Sequence, residues 1–202
     1  MRGKLAVAAV VAVLLSASGA MAQEGPSQEI AVQGTGFFTK DSTRNGFFQH
    51  ATDTGGLLVS YRHHFNRWIA ADASYGYIRN TQQNFSSSSV FNAQSNVHQA
   101  TAALVVTVPG EVLRLKPYLL AGSGAVIFDP TNNRGGFVAG TDYQAKPVFV
   151  YGGADFDLTK HFLLRAEYRG FAYTRPDFGL QSLNSGAIAH TAQPSAGIVY
   201  RF

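Results

Sequence analysis

The sequence contains no cysteine. That absence excludes a disulfide framework and a thiol-linked lipid anchor. Charge is also scarce: Asp, Glu, Lys and Arg make up 14% of the 202 residues, and the formal net charge is only +4. Such a composition suits a soluble helical protein poorly, and the positive balance is too weak to point to nucleic acid or an acidic substrate. Apolar runs of helix length are missing beyond the first two dozen residues. What the chain does have is aromatic residues, at 12%, and 21 glycines, a composition for strands and turns.

The one apolar run opens the chain. In MRGKLAVAAVVAVLLSASGAMAQ, Arg2 and Lys4 precede an apolar stretch from Leu5 to about Leu15, followed by small residues ending Ala20-Met21-Ala22. This is the layout of a cleaved secretory signal, and the apolar core is roughly half the ~20 residues that a membrane helix needs. Residues 1–22 are therefore expected to be removed on export, leaving 23–202 as a single domain. Loss of two cations and no acid lowers the formal charge to 4 − 2 = +2.

Eight segments of that domain have strand character: 28–39, 54–65, 67–79, 97–108, 117–128, 146–157, 161–173 and 191–202. The connections alternate in length. Those at 40–53, 80–96, 129–145 and 174–190 are long and rich in Asn, Ser, Thr, Gly and Asp, whereas Asn66, 109–116 and 158–160 are short. Alternation of this kind puts every long connection on one side of the sheet. An even strand count with short turns at one end and long loops at the other predicts an eight-stranded antiparallel up-and-down transmembrane β-barrel.

The faces agree with that reading. In HFLLRAEYRGFAY, residues 161–173, Arg165, Glu167 and Arg169 alternate with Leu164, Ala166 and Tyr168. Neighbouring side chains on a strand point to opposite faces, so one face is charged and the other apolar. Likewise Ile69, Ala71, Ala73, Tyr75 and Tyr77 oppose Ala70, Asp72, Ser74 and Gly76, and Leu57, Val59 and Tyr61 oppose Ser60, Arg62 and His64. In 146–157 the alternation fails, because Tyr151 shares a face with Asp155 and Asp157. A soluble lipocalin-like barrel would turn the apolar face inward, and a membrane barrel would turn it to lipid. Aromatics at strand ends (Phe65, Trp68, Phe156, Phe162, Tyr200 and Phe202) favour the membrane, where they form an interfacial girdle.

The final SAGIVYRF, with Ile198, Tyr200 and Phe202 at alternate positions, resembles the C-terminal assembly signature of bacterial outer-membrane barrels. Together with KPYLLAGSGAVIF at 116–128 and YGGADFDLTKHFLLRAEYRGF at 151–171, it resembles the small outer membrane protein beta-barrel family, akin to the OmpA transmembrane domain and OmpX. The family's R-x-E-Y-R pattern falls on Arg165, Glu167, Tyr168 and Arg169. The resemblance implies location in the cell outer membrane, four extracellular loops, and contact with outer-membrane lipid or lipopolysaccharide. It also implies handling by the barrel assembly machinery and periplasmic chaperones during biogenesis. A C-terminal peptidoglycan-binding domain after Phe202 is not expected, and Pro194 interrupts the last strand, which is expected to place it near the outer rim or at a bulge.

Charges that point into a narrow lumen must be paired. Arg165, Glu167 and Arg169 are expected to form an ionic network there with Asp72, Arg62 and Asp155, closing the lumen. His63 and His64 point to opposite faces and cannot chelate one ion, so neither metal nor cofactor is expected. GTGFFTK and GSGAVIF lack the third glycine and the helix of a nucleotide site, and the glycine pairs 122/124 and 152/153 fit close strand packing instead. Lipid A deacylases place His and Ser two apart on a strand; no H-x-S occurs, and His190-Thr191 face opposite ways. The expected function is accordingly non-enzymatic: a monomer serving membrane integrity, or surface contact through loops containing Phe47, Phe48, Phe137 and Tyr143. A narrow ion or small-molecule channel of OmpW type is the alternative. A lipid A-modifying enzyme or a soluble ligand-binding barrel ranks behind it, and nucleic acid is not a partner.

Overall fold

The computed structural model describes residues 28–44, 47–85, 90–110, 115–131, 144–176 and 188–202. The leader expected at 1–22 lies outside them, as do Phe137 and Tyr143. Ten strands occur among the described residues: β1 (Gln28–Thr39), β2 (Ser42–Arg44), β3 (Phe47–Ala51), β4 (Thr54–His64), β5 (Ile69–Phe85), β6 (Val90–Thr107), β7 (Leu115–Pro130), β8 (Gln144–Asp157), β9 (Phe162–Thr174) and β10 (Ile188–Arg201). Every pairing is antiparallel. Eight of them close a ring in the order β1, β4, β5, β6, β7, β8, β9, β10 and back to β1, with β2 and β3 attached outside the ring on an extension of β5. The ends are clamped by Gln28 N donating to Phe202 O (3.1 Å) and Phe202 N donating to Gln28 O (2.9 Å).

Local chemistry sets the short turns. Asn66 Oδ1 accepts from the backbone N–H of Trp68 (2.8 Å) and of Ile69 (2.9 Å), folding the chain back from β4 into β5. Thr159 Oγ1 does the same for Phe162 N (3.0 Å) before β9. Gly110, after β6, has a φ of 109°, a left-handed conformation that only glycine enters without strain.

Alternation decides which side of the wall each residue takes. Along β9, Leu163, Arg165, Glu167 and Arg169 are buried, while Phe162, Leu164 and Tyr168 are exposed. Arg169 is 0% exposed and Arg62 and Arg165 1%, whereas Leu57 is 60% and Leu119 68% exposed. A soluble barrel would show the reverse. An apolar belt that includes Val32, Val59, Leu104 and Ile198 on the outer surface is stable only against lipid.

The structure corrects four sequence-based expectations. The segments at 67–79 and 97–108 extend into the connection expected at 80–96: β5 and β6 stay paired to Phe85↔Val90. The polar run NTQQNF has no apolar alternation to mark it as strand, but the ladder continues through its backbone, braced by Asn80 Nδ2 donating to Thr52 O (2.7 Å). The connection at 40–53 likewise contains β2 and β3. Pro194 is neither at the rim nor at a bulge. It sits mid-strand opposite Tyr168 of β9, and on its other side the β1–β10 ladder skips from Thr35↔Ser195 to Phe38↔Ala192 with its register unchanged. The missing N–H thus leaves a gap rather than a shift, and Thr35 Oγ1 donates to the Pro194 carbonyl (3.1 Å) across it. Finally, the Tyr151 conflict has a backbone cause. Between Tyr151↔Gly170 and Ala154↔Ala166, β8 advances three residues and β9 four, so Gly152-Gly153 absorb a register shift. Tyr151 therefore aligns with Gly170, between the inward-facing Arg169 and Phe171, while Asp155 aligns with the inward Arg165.

Glycines permit the close approach of neighbouring strands at several inward positions. A Cβ on Gly197 would lie 2.0 Å from Val32 O and 2.5 Å from Gln33 Cα, both backbone atoms of β1. Gly197→Val is expected to force β1 and β10 apart at the seam that closes the ring, costing about 1–3 kcal/mol. A lowered urea midpoint of the refolded barrel in detergent micelles would register it.

Candidate functional site

The inward faces of β1, β4, β5, β8 and β9 bring seven ionisable side chains together: Glu29, Arg62, Asp72, Asp155, Arg165, Glu167 and Arg169, all buried. Arg62 is the hub. Its Nε donates to Asp72 Oδ2 (3.2 Å), Nη1 to Asp155 Oδ2 (3.1 Å) and Nη2 to Glu167 Oε1 (3.2 Å). Arg165 donates from Nε to Asp155 Oδ1 (2.6 Å), from Nη2 to Glu29 Oε2 (2.5 Å) and from Nη1 to Ser60 Oγ (3.4 Å). Arg169 donates from Nε to Glu167 Oε2 (2.7 Å), from Nη1 to Ser74 Oγ (2.7 Å) and from Nη2 to Asp72 Oδ1 (3.3 Å). Every guanidinium nitrogen of the three arginines thus has an acceptor, the condition under which buried charge is tolerable.

Charge balances as well as geometry. Three arginines face four carboxylates, and the fourth cation is Arg201, whose Nε donates to Glu29 Oε1 (2.8 Å) from the short-turn end. His64 brings Nε2 within 3.0 Å of the same oxygen. Tyr118 lies across the cluster: its hydroxyl donates to Glu167 Oε1 in a short hydrogen bond, and its ring stacks under Arg62, whose Cζ is 4.3 Å from the ring centroid.

Above the charges the lumen changes character. Gln193 Nε2 donates to Gln99 Oε1 (2.9 Å) and Ser195 Oγ to Gln33 Oε1 (3.1 Å), a layer of buried amides without formal charge. Toward the long-connection end the inward side chains are mixed: Phe37, Ile78, Val97, Val126, Phe128 and Tyr173 belong to one buried apolar cluster, and Thr39, Asn80, Ser95 and Thr191 are buried beside them.

Among the sequence-predicted residues, Arg62, Asp72, Asp155, Arg165, Glu167 and Arg169 share this one cluster. Sequence reasoning missed Glu29 and Tyr118. The alternation of β1 carried a signal for Glu29, since it lies on the face of Gln33 and Thr35; nothing in the sequence singles out Tyr118. Ile198, Tyr200 and Phe202 are exposed on the outer surface, where Phe162 joins them: its ring is 5.4 Å from Tyr200, which stacks on Phe202 at 5.9 Å. Phe48 is exposed on β3 in register with Phe85, and Phe47 precedes it on the same strand. His63 and His64 stay apart, His63 meeting Phe65 edge-on at 5.2 Å while His64 turns to Glu29. Among the described residues no group of three His, Cys, Asp or Glu could hold a metal ion.

A family model described as "outer membrane protein beta-barrel domain" matches residues 7–202. No curated protein matches. Solved structures with this fold include the outer membrane protein OprG of Pseudomonas aeruginosa, at 14% identity and a TM-score of 0.63, covering 89% of this chain and 97% of that one. Neisserial surface protein A is similar at 14% identity and a TM-score of 0.60, covering 89% and 100%. The attachment invasion locus protein Ail of Yersinia pestis, solved with the heparin analogue sucrose octasulfate, is 18% identical with a TM-score of 0.54, again covering 89% and 100%. At these identities the likeness is one of fold.

Proposed function

The chain belongs to the outer membrane protein beta-barrel family, and from that premise we propose that it is a non-enzymatic barrel whose lumen is closed by its own ionic network. The short turns face the periplasm and the long loops the exterior, and the protein serves membrane integrity or surface contact through those loops. One observation carries the closed-lumen reading: all nine guanidinium nitrogens of Arg62, Arg165 and Arg169 are engaged by acceptors inside the lumen. A water-filled pore would leave such donors to solvent. Eight strands also enclose little more than their own inward side chains. Against chemistry stands the content of the lumen, since an acyl-transfer site needs a nucleophile paired with a base and room for a chain. The cluster holds carboxylates committed to arginines.

Two measurements test this. Liposomes carrying the refolded barrel are expected to swell in isosmotic glycine or arabinose no faster than empty liposomes; swelling proportional to protein would make the channel reading the right one. Lipid A extracted from a host that expresses the protein is expected to keep its mass, and a change in acyl content would overturn the non-enzymatic reading.

A further inference from the structure

One buried arginine lacks a counter-charge. Arg62, Arg165, Arg169 and Arg201 each contact a carboxylate inside the lumen. Arg175, one residue past the end of β9, is only 6% exposed and contacts no carboxylate among the described residues. Its Nη2 donates to the backbone carbonyl of Lys40 (2.6 Å), and its Nε has no hydrogen-bond partner among the described residues. Asp41, the carboxylate whose charge reaches it, is turned to His50 Nδ1 at 2.6 Å. Burial pushes the pKa of this guanidinium down from its ordinary value, because the charged form has lost water and gained little in exchange. Holding the Lys40 carbonyl does not account for a cation here, since a neutral donor would do that without the cost of burying a charge.

Three buried hydroxyls accompany it. Thr39 precedes Lys40, and Tyr173 stands two residues before Arg175. Thr39 Oγ1 and Thr191 Oγ1 are 2.9 Å apart, and Tyr173 Oη is 3.2 Å from Thr191 Oγ1. Hydroxyl protons rotate to suit an acceptor, so this trio can donate to an oxyanion as well as to itself. Arg175 lies thirteen residues along the chain from Phe162 at the short-turn end. Thirteen steps of about 3.3 Å, on a strand tilted about 40°, rise roughly 33 Å, above the ~25 Å apolar band of such barrels. Thr39, Tyr173 and Thr191 are all on the buried, inward side of their strands. The group therefore faces the outer mouth of the lumen and not the lipid.

We propose that Arg175, with the hydroxyls of Thr39, Tyr173 and Thr191, binds a small soluble oxyanion, a carboxylate or phosphate, at the outer mouth of the lumen. The oxyanion supplies the missing counter-charge and accepts from the unpaired Nε–H in a charge-assisted hydrogen bond. The inward position selects a soluble ion over a lipid headgroup, which approaches from the other face of the wall. The site lies above the ionic network and does not depend on whether the lumen conducts.

The arginine Nε–H signals of the refolded barrel in uncharged detergent, read by nitrogen-15 NMR, test it. Inorganic phosphate or acetate is titrated at constant ionic strength against sodium chloride. The one signal that Arg175→Lys removes is expected to shift and saturate with at least one of the two anions. Over the same range the urea midpoint is expected to rise for wild type and to stay constant for Arg175→Gln. Thr191→Val, which keeps the cation and removes a hydroxyl, is expected to weaken anion binding about ten-fold. Arg79→Gln, which removes an exposed cation on the outward face at the same end, is expected to change nothing. A mobility shift between unboiled and boiled samples confirms that each variant is folded. If Arg175→Gln fails that check, Thr191→Val carries the comparison, and equal affinity of wild type and Thr191→Val overturns the proposal. So does the absence of a saturable shift with either anion, or an equal rise in urea midpoint for wild type and folded Arg175→Gln. A response that appears only when lipid A is added also overturns it, since the ligand would then be a headgroup.

Discussion

Glu167→Gln is expected to lower the stability of the refolded barrel by about 3–5 kcal/mol. The substitution keeps the shape and removes the charge. Glu167 accepts from Arg62, from Arg169 at 2.7 Å and from Tyr118, so the change leaves two buried guanidinium groups short of a counter-charge. Arg169 then keeps only Asp72, and Arg62 keeps Asp72 and Asp155. Trp68, the single tryptophan, gives a fluorescence signal for urea unfolding in micelles. The double variant Glu167→Gln/Arg169→Gln is expected to be less destabilised than the sum of the two single variants, because it removes both ends of one pair. On a solvated strand face the same change would cost less than about 1 kcal/mol, and additive single variants would place the three arginines outside a common network. A large penalty for breaking the network does not mean that the network adds net stability. Desolvation offsets most of what buried pairs gain, and an apolar filling of equal volume could do as well. The proposed filling and sealing of the lumen is consistent with both facts.

The second large effect lies on the outer face of β4. Val59, in register with Tyr75 near mid-height of the wall, is exposed on the outer surface. Val59→Arg is expected to cost about 2–4 kcal/mol, the penalty of a cation at the bilayer midplane. Refolding into vesicles of defined thickness, with unfolding followed in urea, measures it. The adjacent Ser60 faces inward, and its hydroxyl is only a 3.4 Å acceptor for Arg165 Nη1. Ser60→Ala is therefore expected to cost no more than about 1 kcal/mol. The contrast between neighbours reports the orientation of the wall directly: a sheet with its apolar face inward would tolerate neither the present Val59 environment nor the buried Arg62.

Much of this architecture was legible in the sequence, and the reason is the period of two. β1 matches the expected 28–39 at both ends, and β9 at Phe162–Thr174 is displaced by one residue from 161–173. In both, strict alternation leaves one register only. Where alternation is absent, as in NTQQNF, strand and loop look alike, and only the ladder with β6 and β3 decides. The ionic residues of β4, β5, β8 and β9 were visible for the same reason, because charge on the face opposite a lipid-facing one must lie inside. Which residues pair was not visible. Glu29 and Arg165 are 136 residues apart on strands that do not touch, with β10 between them, and their 2.5 Å contact exists only because the ring closes. Pro194 misled for a related reason: its missing donor points at a gap in the β1–β10 ladder, which a single strand's sequence does not reveal.

Ion conductance across a planar bilayer, with the wild-type barrel and Glu167→Gln measured side by side, tests the closed lumen most directly. The account predicts that wild-type protein inserts, as shown by a heat-dependent mobility shift on gels, yet adds no sustained current. Glu167→Gln, with its unbalanced arginines forced toward water, opens discrete anion-selective steps. Steady wild-type currents of the same size as those of the variant would contradict it, and would mean that ions pass the network while it is intact.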